Sequence, residues 1–257
     1  MSFTWLGQST SLIQTPSLTI LTDPVFSHCT LPPFLGPKRL VTPTWTLSSL
    51  PIPDIILVSH NHFDHLEVGV IEYFQKLGSE NGPIWYVPLG MRKFMIRLGI
   101  FPSLIRESDW WREWTHEFKT SPRPTPTKDL TPPNILPSSS ISSAPNSLPS
   151  LRGSHQNKRE VKIVSVPAQQ WSGRGFWDMN SSLWCGYVVI DSLIDESQND
   201  DGKGRVAFFH CGDTGYCEVF KEIGRLYGPL TLSALRKDPF VSFFLTYSHS
   251  LLVETIF

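Results

Sequence analysis

The stretch at residues 54–67, DIILVSHNHFDHLE, passes from an unbroken apolar run into a cluster of histidines and an aspartate, and then into a helical pattern. An apolar run without polar alternation fits a strand covered on both faces. The following LEVGVIEYFQKLG carries apolar residues at three- and four-residue spacings and stops at Gly78, as a helix with a glycine terminus does. Strand, polar loop and helix in that order place the histidines on a loop projected from a rigid scaffold, where binding and catalytic groups concentrate.

Upstream, SLIQT and LTILTD flank Pro16 and Ser17 and predict an opening hairpin, and proline-rich residues 23–53 predict irregular connection. Downstream, IWYVPLG reads as a strand and MRKFMIRLGI as an amphipathic helix ending at Gly99; VKIVSVPA, SLWCGYVVI and RVAFFHCGD read as three further strands. This succession predicts a layered sandwich, α/β or α+β, with the whole chain, residues 1–257, as one domain. Residues 120–158 or so are dominated by proline, serine and threonine. Ordering backbone opposes folding by about 1–2 kcal/mol per residue, more than so little apolar area offsets, so a disordered insertion is expected. The tail at 236–257 contains PFVSFFLTYSHSLLVETIF, whose apolar run is broken by Ser242, His249 and Glu254; it predicts a buried or ill-formed segment rather than a membrane span.

The chain has 257 residues, 40% of them hydrophobic, which is ample for a core and excludes disorder as its general state. A formal net charge of −1 provides no general field for a polyanion, so no nucleic-acid partner is expected. Cys29, Cys185, Cys211 and Cys217 form no CxxC pair, and MSFTWLGQST carries no basic, apolar leader pattern. A cytoplasmic location is the expectation.

His60, His62, Asp64 and His65 supply three imidazoles and a carboxylate within six residues, the nitrogen and oxygen donor set that Zn²⁺ prefers. Alternation along the loop lets His60 and His62 turn to one ion, and Asp64 and His65 to a second. Asp213, between Gly212 and Thr214 at the end of the AFFHC run, is either a further carboxylate ligand able to bridge two ions or ordinary turn chemistry. His210 reads as a strand histidine. Asp23, before Pro24, reads as a turn residue, with orientation of a histidine as the alternative.

WLGQSTSLIQ, LTDPVFS, GPKRL, LPIPDIILVSHNHFDHLE, VPLGMRKF, the Asp109-Trp110-Trp111 run, VPAQQWSGRGFWDMNSSLWCGYVV and FFHCGDTGYCEVFKEIGRLYGP together resemble the family of phospholipases D that hydrolyse N-acyl-phosphatidylethanolamine, zinc phosphodiesterases of the metallo-β-lactamase superfamily. The resemblance covers residues 3–119 and 161–235. It implies an α+β fold of αββα sandwich type and two zinc ions, the first on His60 and His62, the second on Asp64 and His65, with Asp213 bridging. It implies hydrolysis of N-acylated phosphatidylethanolamine to phosphatidic acid and an N-acylethanolamine, with Asp64 as proton acceptor. A phospholipid substrate and a peripheral membrane contact follow from the same likeness. Trp110, Trp111, Trp114 and Trp171 are the candidates for an acyl-binding or membrane-facing surface, or else core residues.

The chain departs from that family's pattern in three places. Gln170 stands where the family carries a zinc-binding histidine, Gln8 where it shows another histidine, and the text after Leu235 contains no alignable final ligand, His249 being the only histidine there. A sandwich incomplete at its C-terminus, with an exposed sheet edge, is the resulting expectation. The alternative function implied by these losses is a degenerate or truncated non-catalytic relative that binds lipid or a partner, or an unstable fragment.

Overall fold

The computed structural model describes residues 1–27, 45–119, 158–194, 204–236 and 251–254. Strands β1 (Ser2–Gly7), β2 (Thr10–Gln14) and β3 (Thr19–Thr22) form an antiparallel meander. The predicted hairpin is its second half; β1 adds an edge strand whose mixed exposure left no clear pattern in the sequence. β4 (Ile55–Leu57), β5 (Ile84–Pro88) and β6 (Ile105–Ser108) then add in parallel, one beside the next, giving a six-stranded sheet in sequential order. Parallel neighbours require crossovers. Helix α1 (Val68–Gln75) and the short α2 (Gly78–Asn81) connect β4 to β5, and α3 (Arg92–Arg97) connects β5 to β6. Gly78, at φ +77°, begins α2 rather than ending the chain's helical turn.

The second sheet starts with antiparallel β7 (Glu113–Lys119), β8 (Lys158–Val166), β9 (Gly186–Ile194) and β10 (Val206–His210). Helix α4 (Val219–Tyr227) crosses to β11 (Leu232–Arg236), parallel to β10, and β12 (Leu251–Glu254) pairs antiparallel with β11. The sheet therefore runs past the expected edge, through β11, to a strand drawn from the tail. The insertion expected at about 120–158 lies outside the described residues apart from Lys158, which opens β8; so do the tail residues other than Arg236 and β12.

Three apolar clusters define the layers. Ile13, Ile20, Ile55, Leu57 and Tyr86 of the first sheet meet Val161, Ile163, Tyr187, Val189 and Phe208 of the second. On the outer face of the first sheet, Ile56, Trp85 and Val87 pack with Val70, Ile71 and Phe74 of α1 and Met95 of α3. On the outer face of the second, Val166, Val188 and Phe209 pack with Ile223 and Tyr227 of α4. This is an α+β, αββα sandwich of metallo-β-lactamase type. Ile55, Ile56 and Leu57 are at most 1% exposed, so β4 is covered on both faces as its sequence predicts. Each such side chain contributes about 1.5–3 kcal/mol. Among the described residues no helix is long and apolar enough to cross a membrane.

Candidate metal centre

The strands β3, β4, β8 and β10 deliver the chemistry, each through the loop that leaves its C-terminal end: Asp23, residues 59–65, Gln170 and Asp213. Sheets with parallel strands habitually place their sites at such ends. After β4 the ladder closes with Val58 N donating to Tyr86 O, and the chain turns out of the sheet. His65 N and Leu66 N both donate to His62 O, at 3.1 and 3.0 Å, which curls the histidines into one turn. Gly212 permits the Asp213 loop to approach. Its φ is +60°, and a Cβ there would fall 2.5 Å from Ser59 Cβ.

Asp23, fully buried with φ +36°, organises the site. Its Oδ1 accepts from Ser59 N at 2.7 Å; its Oδ2 accepts from Ser59 Oγ at 2.8 Å, His65 Nδ1 at 2.9 Å and His210 Nε2 at 2.9 Å. Asp23 thereby fixes one His65 proton on Nδ1 and points Nε2 toward the cluster, where its lone pair becomes available when a cation replaces the second proton. With the Ser59 hydroxyl proton spent on Asp23, Ser59 Oγ accepts from His60 Nδ1 at 2.8 Å, leaving the His60 lone pair on Nε2. The second alternative for Asp23, orientation of a histidine, is what the structure shows, and His210 serves the same carboxylate.

One donor atom from each of His60, His65 and Asp213 lies within 4.8 Å of the others, all three residues buried. His65 Nε2 is 3.4 Å from Asp213 Oδ1 and 3.8 Å from Asp64 Oδ2. His62 Nδ1 reaches His60 Nε2 at 2.8 Å; its Nε2 is buried without a hydrogen-bond partner among the described residues, and its ring stands beside that of Trp171, centroids 4.1 Å apart. Gln170 Nε2 donates to Asp213 Oδ2 at 3.2 Å and lies 3.5 Å from His60 Nε2. Gln8 Nε2 donates to Asp64 Oδ2 at 3.0 Å, so this residue supports Asp64. His249 and the GPKRL segment lie outside the described residues.

Burial pushes the His60 imidazole down to about 3, assisted by His65 and opposed by Asp213 and Asp23. Burial likewise pushes His62 down to about 4, against the pull of Asp64. Both rings are neutral at pH 7, the state a ligand requires. At His65 burial opposes a charge, but the carboxylates of Asp213, Asp64 and Asp23 outweigh it and hold the imidazole well above its ordinary range. Three carboxylates around one buried imidazole make a field that calls for positive charge. Together with converging neutral nitrogens, that field fits a divalent cation, which takes the place of the His65 proton.

Sequence reasoning did not single out Ser59, Asn61 or Arg174. Arg174 donates through NH1 to Asn61 O at 2.9 Å and Leu66 O at 2.8 Å, lies 4.1 Å over the Phe63 ring, and is pushed down to about 10 by burial, against Asp178 and Asp64. Gly173 N donates to Asn61 Oδ1 at 2.7 Å. The loop after β8 thus clasps the histidine turn, an interaction with no local sequence signal. Of the tryptophans, Trp110, Trp111 and Trp171 are exposed at the surface, whereas Trp114 packs on the core with Nε1 donating to Ser108 Oγ. Phe176 and Trp177, unmarked in the sequence, project almost wholly into solvent.

A two-sheet αββα sandwich with a histidine-aspartate cluster at its strand ends defines a metallo-β-lactamase-type protein, whose fold and donor set imply a divalent metal. A family model described as the β-lactamase superfamily domain matches residues 19–236, and the chain belongs to that family. It is similar to N-acyl-phosphatidylethanolamine-hydrolyzing phospholipase D, mitochondrial, of Saccharomyces cerevisiae, with 32% identity over 88% of this chain and 37% of the relative. It is also similar to N-acyl-phosphatidylethanolamine-hydrolyzing phospholipase D 1 of Caenorhabditis elegans, with 30% identity over 90% of this chain and 52% of the relative. The chain spans about a third to a half of the length of these two relatives. A solved isothiocyanate hydrolase from Delia radicum gut bacteria superimposes with a TM-score of 0.47 at 14% identity, covering 88% of this chain and 68% of that one.

Proposed function

We propose that the chain is a zinc-dependent hydrolase of phospholipase D type, acting on N-acylated phosphatidylethanolamine to release phosphatidic acid and an N-acylethanolamine. The observation that carries this is the convergence of His60, His65 and Asp213 on one buried point, with Nδ1 of His65 and of His60 engaged by Asp23 and Ser59 so that both Nε2 atoms face it. The likeness to the yeast and nematode enzymes supplies the substrate.

His60, His65 and Asp213 would hold the ion, with Asp64 beside them. Nitrogen and carboxylate donors in this number suit Zn²⁺. When bound, the metal polarises a phosphoryl oxygen and lowers the pKa of water toward ~7. Asp64, partly exposed and steadied by Gln8, accepts the proton of the attacking water. As water adds to phosphorus, the bond from phosphorus to the ethanolamide oxygen breaks and that oxygen leaves with a proton. Trp171, with the exposed Phe176 and Trp177 on the same loop, forms an apolar rim beside His62 suited to acyl chains and to the edge of a bilayer. The site's home in this reading is the cytoplasmic side of a membrane surface.

The test is incubation of zinc-loaded protein with vesicles containing N-acylphosphatidylethanolamine, with both products measured by mass spectrometry. Stoichiometric phosphatidic acid and N-acylethanolamine, absent with His65→Ala, is the expected result. Gln170 favours a second reading, a folded relative without catalysis; metal-loaded, folded protein that yields neither product would establish it.

A further inference from the structure

We propose that this chain takes a single divalent metal ion, on the His65 and Asp213 side of the cluster, because the side-chain amide of Gln170 closes the His60 and His62 side. The inference rests on the metal-centre reading given above and concerns the number and place of the ions.

The two sides differ in the spacing of their donors. Two ligand atoms bound at ~2.0–2.1 Å to one tetrahedral ion stand roughly 3.3–3.4 Å apart. His65 Nε2 and Asp213 Oδ1 form an ion pair at 3.4 Å, with Asp64 Oδ2 3.8 Å from the same nitrogen, a spacing that one ion can span in place of the shared proton. On the other side His60 Nε2 and His62 Nδ1 are 2.8 Å apart, a hydrogen-bond distance. The two facing nitrogens share one proton and so offer one lone pair between them, enough for His60 to join His65 and Asp213 on a single ion and too few for a second ion.

Gln170 explains why that side has drawn together. Its amide nitrogen sits 3.2 Å from Asp213 Oδ2 and 3.5 Å from His60 Nε2. An amide NH₂ carries two donors and no available lone pair, so it satisfies the second oxygen of Asp213 and faces the remaining imidazole as a donor. The group does hydrogen-bonding work where an additional ligand would have to present electrons. Asp213 then has one oxygen committed to Gln170 and the other directed at His65, which makes it a terminal ligand of one ion rather than a bridge between two. His62, on the far side of that hydrogen bond and against Trp171, becomes a support for His60.

Zinc content measured by elemental analysis, after loading the full chain with excess zinc and desalting, tests this directly. About one ion per chain is expected for the unaltered protein, and about one for His62→Ala. Gln170→His should raise the count to about two, by replacing the donor amide with a third imidazole. His65→Ala should lose the ion, and melting temperatures without added zinc identify any variant that has failed to fold. Two ions in the unaltered chain would overturn the inference while leaving the metal-centre reading intact. None in folded, unaltered protein would overturn both. A single ion lost with His62→Ala but kept with His65→Ala would place it on the wrong side, and a count that stays at one in folded Gln170→His would remove Gln170 as the cause.

Discussion

Asp23 and Asp191 are both fully buried, and each ties the two sheets together, at opposite ends of β3. Asp191, on β9, accepts from Ser17 N at 3.0 Å and Ser17 Oγ at 2.8 Å in the turn before β3, and pairs with Arg159 of β8 at 2.7 Å. Asp23, after β3, accepts from Ser59 and from two histidines, one of them from the second sheet. The partners make the difference. Arg159 is permanently charged, its NH2 donates to Asp191 O and Gly204 O, and a guanidinium has no lone pair to present elsewhere. The histidines each have a second nitrogen, so fixing one proton on Asp23 determines what the other side of the ring presents. The same device, a buried carboxylate between sheets, is a clamp at one end and a director of donor atoms at the other.

The clamp should show the largest effect on stability. Asp191→Ala leaves Arg159 buried without its counter-ion, and a loss of about 3–5 kcal/mol is expected, read as a lowered urea midpoint. Its zinc affinity, measured under conditions where the variant is folded, should match that of the unaltered chain. Asp23→Asn should lose less, about 3 kcal/mol, since its shape is kept but an N–H now faces buried donors. It should also weaken zinc binding by about 10–100-fold, because the amide can no longer hold the His65 proton on Nδ1. Equal zinc affinities for the two variants would erase the distinction between clamp and director.

The half of the site that lies within six residues was legible in the sequence, because residues 60–65 are adjacent in both chain and space. Its scaffold was legible for the same reason: β4 and the helix after it bear strong periodic patterns. The remainder depends on distance. Asp23 meets His210 across 187 residues, and an aspartate before a proline looks like any turn until the strand that follows is placed. Gln170 was visible as a departure, but only its contacts with Asp213 and His60 reveal what the amide does. In the fold, β1, β6 and β7 escaped notice because half-exposed edge strands dilute the alternation, while β12 arises in a tail whose composition pointed to no element.

Gly212 gives the comparison a finer test, since it sets how closely the Asp213 loop approaches Ser59. In Gly212→Ala the new methyl must push aside Ser59 Cβ, only 2.5 Å away, and hold a left-handed φ of +60°. A loss of about 2 kcal/mol is expected, with zinc affinity lowered because Asp213 retreats from His65. Unchanged affinity would mean that Asp213 is not positioned by this contact.

The smallest expected change comes from Ser59→Ala, and it separates the two histidines that Asp23 influences. The hydroxyl connects Asp23 Oδ2 to His60 Nδ1, whereas His65 touches Asp23 directly. Removing it leaves the His60 N–H buried without that acceptor, a loss of about 1 kcal/mol, while the His65 tautomer is untouched. If the ion depends chiefly on His65 and Asp213, zinc affinity should fall by only a few-fold, far less than in Asp23→Asn. If His60 is an equal ligand whose lone pair depends on Ser59, the two variants should bind zinc equally poorly. Isothermal titration of both variants with zinc therefore measures how far the directing influence of Asp23 extends beyond the ring it touches.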